Sequence, residues 1–493
     1  MPVLFKSKIS TVDVHARNIA IVGAGVAGLY SALLLQQKNV NFHVFEAQDR
    51  VGGRIWTHRF TADEDQFFEA GAMRIPKSSS HESVLDLIRS LNAKTDPVDQ
   101  VETIPYILNS SGNRVYVNKR LTPDGDHFYF SDGPRLTAEA LGFNLPEPYA
   151  GRTAADLLES VLRPYLKALK EDFDGGFTEL LKYDGFSFRL YLSTVEKWPA
   201  EVIDFVEVMF SQTNQYTLSF TEIVLQNMDF FTEEWFTIKG GMDRLPQAMA
   251  KIVGADNITL GARITSISYN PDGRVQLAVS RQGNSASHHA FDDIILAIPP
   301  ASLKRIDRPR WSHVKESAIR SAHFEPLFKL GMRFKTRFWE RVSTPALGGQ
   351  SITDLRSRWV VYPSNGLGSD SPGVLLTYTW MSDASYWLPL SSKERIDAAL
   401  ADLAELYEGE VDVYEEFIEG KDVCWQEQWA TGDAMFYPGQ LTAFAKAAAA
   451  PEGNVYFAGE HLSRHHTWIA GAIDSALSTV RVMMEDHKLS LDA

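Results

Sequence analysis

The stretch "RNIAIVGAGVAGLYSALLLQQKNVNFHVFEAQDRVGGR" constrains the fold more than any other part of the chain. Ile19 to Val22 form a short apolar run, as a buried parallel strand requires. Gly23, Gly25 and Gly28 follow, and a helix-like segment runs from about Ala27 to Lys38. A second strand pattern, Phe42 to Phe45, ends at Glu46. This order predicts a β-α-β unit with GxGxxG at its turn and an acid about 20 residues further on. The first glycine permits the tight turn. The second lets the backbone approach a pyrophosphate at the helix N-terminus, where free N–H groups and the helix dipole favour an anion. Glu46 then stands where it can accept hydrogen bonds from a ribose diol.

The residues after that acid narrow the ligand. Gly52, Gly53 and Arg54 follow directly. The glycine pair allows a second close approach of backbone to cofactor, and Arg54 can meet the pyrophosphate charge. This extension resembles FAD-binding proteins rather than NAD dehydrogenases. Far along the chain, "VYFAGEH" sets Gly459 and Glu460 at a strand end, where a carboxylate can bind a ribityl chain.

A chain of 493 residues exceeds one hydrophobic core, so two or three domains are expected. From Thr153 to about Phe236 the pattern is helical, and strand signals return at "ITLGARITSISYN" and "FDDIILAIPP". The region from Phe324 to Val423 mixes strands such as "GVLLTYTW" with a helix at "SSKERIDAALADLAELY". There Ser391 and Glu394 have capping-box spacing. "PSNGLGSDSPG" reads as a loop between strands, and "WIAGAIDSALSTVRVMMED" as a helix. The net charge of −15 argues against a nucleic-acid partner and an anionic membrane surface. No run approaches the roughly 20 apolar residues of a membrane helix. The N-terminus lacks a secretory apolar core, and the single cysteine, Cys424, excludes an internal disulfide. A cytoplasmic location is the expectation.

One arginine stands out. In "EAGAMRIP", Arg74 sits among small and apolar neighbours. Arginine is rarely buried without a partner. Either the fold supplies an acid, such as Asp65 or Glu69, or a ligand does.

The motifs "IAIVGAGVAGL", "FEAQDRVGGR", "EAGAMRIP", "KGGMDRLP", "FKLGMRF", "VVYPSN" and "VYFAGEHLSRHHTWIAGAIDSAL" occur in this order along the chain. Together they resemble the flavin amine oxidase superfamily and, within it, the L-amino acid oxidases. The resemblance implies an α/β, multi-domain (α+β) fold. Its Rossmann-like FAD-binding domain would be assembled from 17–75, 237–321 and 424–493. A substrate-binding domain with a mixed β-sheet would comprise 76–150 and 322–423, and a helical domain 151–236. It implies oxidation of an L-amino acid to an imino acid, hydrolysis to a 2-oxo acid and ammonia, and hydrogen peroxide from O₂. A dimer or dimer of dimers is the implied assembly.

Residue roles follow from the same resemblance. Arg74 resembles the arginine that grips the substrate carboxylate, and Tyr362 the tyrosine whose hydroxyl meets it. Lys329 resembles the catalytic lysine that holds a water near the flavin. Trp468 resembles the aromatic wall of the substrate cavity. The implied cofactor contacts are Gly23, Gly25, Ala27, Gly28, Glu46, Ala47, Gly53, Arg54, Gly71, Ala72, Met73, Arg74, Ile264, Gly459, Glu460, Trp468, Ile469 and Ala472. No metal is expected, although "HLSRHH" brings His461, His465 and His466 close in sequence. The stretch "DAMFYPGQL" has no cysteine, so the FAD is expected to be non-covalent. In "CWQEQWATG", Trp429 stands at the family's Tyr position and Trp425 one residue out of register, which leaves the roles of both open. Two other activities remain compatible with the motifs: oxidation of mono- or polyamines, and an amino acid 2-monooxygenase reaction that yields an amide. A flavin-bearing scaffold with vestigial catalysis is a third reading, disfavoured by Lys329, Arg74 and Trp468 together.

Overall fold

The computed structural model describes residues 17–122, 136–210, 215–232, 234–281, 286–427, 431–488 and 491. The expected β-α-β unit is present as the strand Asn18–Val22, the helix Val26–Gln37 and the strand Asn41–Phe45. They belong to a five-stranded parallel sheet. Its spatial order is Ile258–Thr259, Asn41–Phe45, Asn18–Val22, Asp293–Leu296 and Val455–Phe457. Its strands are thus recruited from distant parts of the chain. Alternate side chains of the first strand enter different cores. Ile19 and Ile21 pack with the helix Val26–Gln37 and the C-terminal helix Ile469–Asp486. Ala20 and Val22 pack with the antiparallel layer of Ala262–Tyr269, Val275–Arg281 and Ser287–Phe291. A strand covered on both faces has no polar side, which is why "IAIV" is continuously apolar.

The glycine turn closes this unit. Gly23 has φ +105°, and a Cβ there would stand 2.6 Å from the Ala297 oxygen. Gly28 lies against the turn itself: a Cβ would come within 1.9 Å of the Gly23 oxygen. Its job is close helix-to-turn packing.

A second, seven-stranded mixed sheet stands opposite. Its order is Phe417–Cys424, Leu327–Phe334, Gly373–Trp380, Trp359–Val361, Gln350–Thr353, Val115–Val117 and Arg120–Thr122. Directly opposed residues share a face. Lys329 is opposite Tyr378, and Tyr378 is opposite Trp359, so these three form one row across adjacent strands. Leu327 and Trp380 form the next row on that face. The other face packs against the helix Ser392–Leu406, which starts with the Ser391–Glu394 capping box. "PSNGLGSDSPG" is the loop between two of these strands.

The helices Ala154–Glu171, Phe173–Leu180, Phe188–Thr194, Ala200–Met209 and Phe220–Met228 cover the cavity face of the sheet through a shared core. The helical pattern ends earlier than its expected limit at Phe236. Trp235–Ile238 is a strand that pairs with Ile75–Pro76 and Thr103–Pro105. Trp235 and Phe236 are large aromatic residues, which suit strands as well as helices. Among the described residues no helix is long and apolar enough to cross a membrane.

The packing of Gly28 is testable. Gly28→Ala is expected to cost about 1–3 kcal/mol through overpacking, seen by circular dichroism as a lower thermal-denaturation midpoint. With all proteins compared flavin-free, so that cofactor binding does not shift the midpoint, Gly25→Ala meets only the Gly53 Cα, at 4.0 Å, and should leave the midpoint near wild type. Equal midpoints for the two variants would refute the close-approach account.

Candidate functional site

One elongated cavity, of about 310 Å³, runs from the glycine turn to the seven-stranded sheet. At its nucleotide end the wall comprises Gly23, Gly25, Ala27, Glu46 and Ala47. Glu46 is held firmly: Ala24 N–H donates to Oε2 at 2.7 Å and Gln48 N–H to Oε1 at 2.9 Å. Burial raises its carboxyl above the ordinary range, with these N–H groups opposing. Gly25 N-caps the first helix without a side-chain cap, so first-turn N–H groups remain available beside the cavity. Gly28 does not reach the wall. This corrects its expected cofactor contact, since it is buried beneath Gly23.

Further along, the wall is Gly53, Arg54, Gly71, Ala72 and Met73, with Ile264 from the antiparallel layer. Gly71 is forced by space, because a Cβ would stand 1.8 Å from the Arg54 oxygen. From the last strand and helix come Gly459, Glu460, Trp468, Ile469 and Ala472. Arg54 is neutralised within the protein by Glu460, at 2.7 Å. Glu460 also accepts from Ala434 N–H and Thr467 N–H. Burial would raise its carboxyl, but Arg54, His466, His461 and the Thr467 N–H outweigh it and hold it below the ordinary range. Thr467 sits at φ +70°, strained for a β-branched residue, immediately before the helix whose first turn faces the cavity.

Lys329 reaches the cavity from the sheet row and is 3% exposed. Its Nζ donates to the Glu69 oxygen at 3.1 Å and the Gly71 oxygen at 2.6 Å. Burial, partly offset by Glu69, lowers its pKa to about 7. The Glu69 carboxylate faces elsewhere. It accepts from Thr57 Oγ1 and Met242 N–H, each at 2.8 Å, and burial raises it to about 8.

Arg74 also lines the cavity, and among the described residues it forms no ion pair. Its Nη1 is buried with no hydrogen-bond partner. Four rings surround the guanidinium: Phe230 at 5.2 Å, Trp235 at 5.4 Å, Trp359 at 5.8 Å and Tyr106 at 6.0 Å. The two acids considered from sequence are occupied otherwise: Glu69 as above, and Asp65 by Asn365 at 2.9 Å. Trp468 adds a further aromatic face, packed edge-on against His81 at 4.8 Å. Its indole Nε1 is buried without a partner.

Tyr362 is not at this site, contrary to expectation. Its hydroxyl is 2.8 Å from Ser351 and 2.7 Å from the Tyr407 hydroxyl, in the core on the sheet's far face. The cause is strand parity. Trp359 and Val361 face the cavity side, whereas Val360 and Tyr362 face away. The tyrosine the structure puts beside Arg74 and Lys329 is Tyr378. Burial, reinforced by Asp433, holds its phenol well above the ordinary range, so it stays protonated. Sequence reasoning missed Tyr378, Trp359 and Trp380. The alternation of "LLTYTW" places Tyr378 and Trp380 on one face, but only the strand register shows that the face is Lys329's.

The three histidines of "HLSRHH" diverge: His465 pairs with Asp474 at 2.9 Å and His466 with Glu222 at 3.0 Å. His461 is buried in the cavity wall, and burial lowers it to about 3, so it is neutral. Trp425 lines the cavity and donates to the Ala70 oxygen at 2.7 Å. Trp429 lies outside the described residues. Cys424 packs in the far-face core, where burial pushes its thiol up to about 12.

A glycine turn, an acid at the second strand end and a late helix N-terminus all line one elongated cavity, an arrangement that suits an extended nucleotide cofactor beside an apolar chamber. The family of flavin-containing amine oxidoreductases matches residues 26–484, and the chain belongs to it. A relative in Dictyostelium discoideum, provisionally named a bifunctional amine oxidase, is 34% identical over 96% of this chain. The chain spans only 46% of that protein. A Bacillus subtilis protein provisionally named an L-amino-acid oxidase is 31% identical, over 96% of this chain and 95% of its own length. The L-amino-acid oxidase of Echis ocellatus is 29% identical, over 96% and 90% respectively. The fold is similar to cyclohexylamine oxidase from Brevibacterium oxydans, with TM-score 0.74 and 18% identity over 96% of this chain and 99% of that one. Membership in a flavin-containing family identifies the cofactor as a flavin and the protein as an oxidoreductase.

Gly25→Ala takes space at the cavity wall without disturbing neighbouring protein. It is expected to fold and to lose flavin on dialysis, read as a lower ratio of visible to ultraviolet absorbance. Full flavin retention would remove the glycine turn from the binding site.

Proposed function

We propose that this protein is an FAD-dependent L-amino-acid oxidase that forms 2-oxo acids, ammonia and hydrogen peroxide. The observation that carries the reading is the guanidinium of Arg74 at the cavity wall, which forms no ion pair among the described residues and whose buried Nη1 has no hydrogen-bond partner. A guanidinium fork binds a carboxylate with two parallel hydrogen bonds. A simple amine offers nothing for that fork to hold. Two relatives named as L-amino-acid oxidases support the same reading at about 30% identity. The solved amine oxidases, including putrescine oxidase bound to putrescine, support the fold alone at 19% identity or less.

The residues fit FAD. Glu46 would hold its ribose, and the uncapped helix at Gly25 its pyrophosphate. The C-terminal helix, N-capped by Trp468 without a side-chain cap, would present Ile469 and Ala472 to the flavin ring. Cys424 is turned into the far-face core, which supports non-covalent attachment. Bound FAD supplies a two-electron acceptor for the substrate's α-hydrogen and a route for those electrons to O₂.

The chain's own part is positioning. Arg74 fixes the carboxylate, and the protonated Tyr378 hydroxyl is available as a further donor to it. Trp359, Trp380 and Trp468 supply dry walls that fix the side of the substrate presented for oxidation. Lys329 spends two hydrogen bonds on backbone oxygens and keeps its remaining position for a cavity water.

Arg74→Ala is expected to lower kcat/KM for L-amino acids on the order of 100-fold, chiefly through KM. A peroxide-coupled assay reads it, and near-normal kinetics would refute the clamp. Lys329 has a depressed pKa, so it is protonated below about 7 and neutral above it. The rate profile should therefore inflect near that pH. Lys329→Met should remove the inflection and slow turnover by about 100-fold. An inflection that survives in Lys329→Met would refute its assignment to Lys329.

A further inference from the structure

Two carboxylic acids in the cavity wall have no task in the reading above. Glu325 is 4% exposed, and its Oε2 has no hydrogen-bond partner. Its backbone N–H donates to the Asp433 oxygen at 2.9 Å, which sets the two residues side by side. The Asp433 carboxyl accepts no hydrogen bond among the described residues. Arg54 and Lys329 act on it only through space. Both acids line the same cavity as Arg74, with Gln215 and Gln226 beside them.

The neighbouring charges are already matched. Glu460 pairs with Arg54, and Glu222 with His466. Glu69 takes Thr57 and Met242, and Lys329 takes two backbone oxygens. Around Tyr378, among the described residues, this leaves the cation Arg74 and the acids Glu325 and Asp433 without an ion pair. A complementary ligand carries a carboxylate at one end and a cation at the other.

Resting on the carboxylate role of Arg74, we infer that the preferred substrates are L-amino acids with a cationic side chain, read by Glu325 and Asp433. Burial, reinforced by Asp433, holds the Glu325 carboxyl well above its ordinary range, and burial raises Asp433 to about 7. Acids so placed lack a cation, and a side-chain ammonium or guanidinium supplies it. An apolar side chain leaves both acids unmatched in a dry wall, so the site discriminates against it. Gln215 supplies a neutral hydrogen bond to the Glu325 side chain.

The test is peroxide-coupled kcat/KM for the flavin-loaded enzyme on L-lysine, L-arginine, L-leucine and cadaverine, the amine that lysine leaves on losing its carboxylate. L-lysine or L-arginine should exceed L-leucine by about tenfold or more, and cadaverine should be poor. Glu325→Gln and Asp433→Asn should each reduce that preference by about tenfold or more while leaving L-leucine turnover within a few-fold. The wild-type ratio decides the matter even for a variant that does not fold. L-leucine equal to or better than both basic substrates would overturn this inference and leave the Arg74 reading intact. Cadaverine oxidised in preference to every L-amino acid would overturn both.

Discussion

A guanidinium held among aromatic rings without a carboxylate is an open electrostatic account, and the rest of the site is arranged around it. The four rings near Arg74 each contribute about 0.5–2 kcal/mol of cation–π attraction. They position the charge but leave the hydrogens of Nη1 unpaired. Glu69 is tied to Thr57 and Met242, Asp65 to Asn365 and Glu460 to Arg54, and among the described residues neither Glu325 nor Asp433 forms an ion pair with Arg74. An arginine held at such a wall without an acid partner suits an anion from outside the chain. The proposed anion is the substrate carboxylate.

The chamber around that charge is made by strand parity. One cross-strand row delivers Lys329, Tyr378 and Trp359 to the same face, and the next row delivers Leu327 and Trp380. The opposite parity sends Tyr362 and Cys424 into the core beneath. The two sheets thus divide the labour. In the proposed reading the parallel sheet and its glycine turn hold the nucleotide end, and the mixed sheet presents the reacting end. Lys329 bridges them, since its partners Glu69 and Gly71 lie in the segment that leads from the nucleotide unit to Arg74.

Local signals made the nucleotide end legible from sequence. The turn at Gly23, the helix that follows and Glu46 all lie within one short segment, and each has a local backbone reason. Arg74, Lys329 and Trp468 are singled out by motifs resembling a known family, and all three line one cavity. Tyr362 failed because a motif fixes a residue's neighbourhood, whereas the face it points to depends on pairing between distant strands. Gly28 failed for a simpler reason: a glycine in such a turn serves either ligand or packing, and here a 1.9 Å approach to Gly23 assigns it to packing. Glu325 and Asp433 carry no motif at all. Their importance appears only once burial and the absence of partners among the described residues are known.

Equilibrium binding of an unreactive carboxylate tests the central claim most directly. Isovalerate and the matched amine 3-methylbutylamine would be titrated anaerobically into flavin-loaded wild type and Arg74→Ala, with the flavin absorbance as readout. Arg74 as the anion receptor predicts that isovalerate binds wild type and weakens on the order of 30-fold in the variant, while the amine's binding is little changed. Equal isovalerate affinity in the two proteins would contradict it.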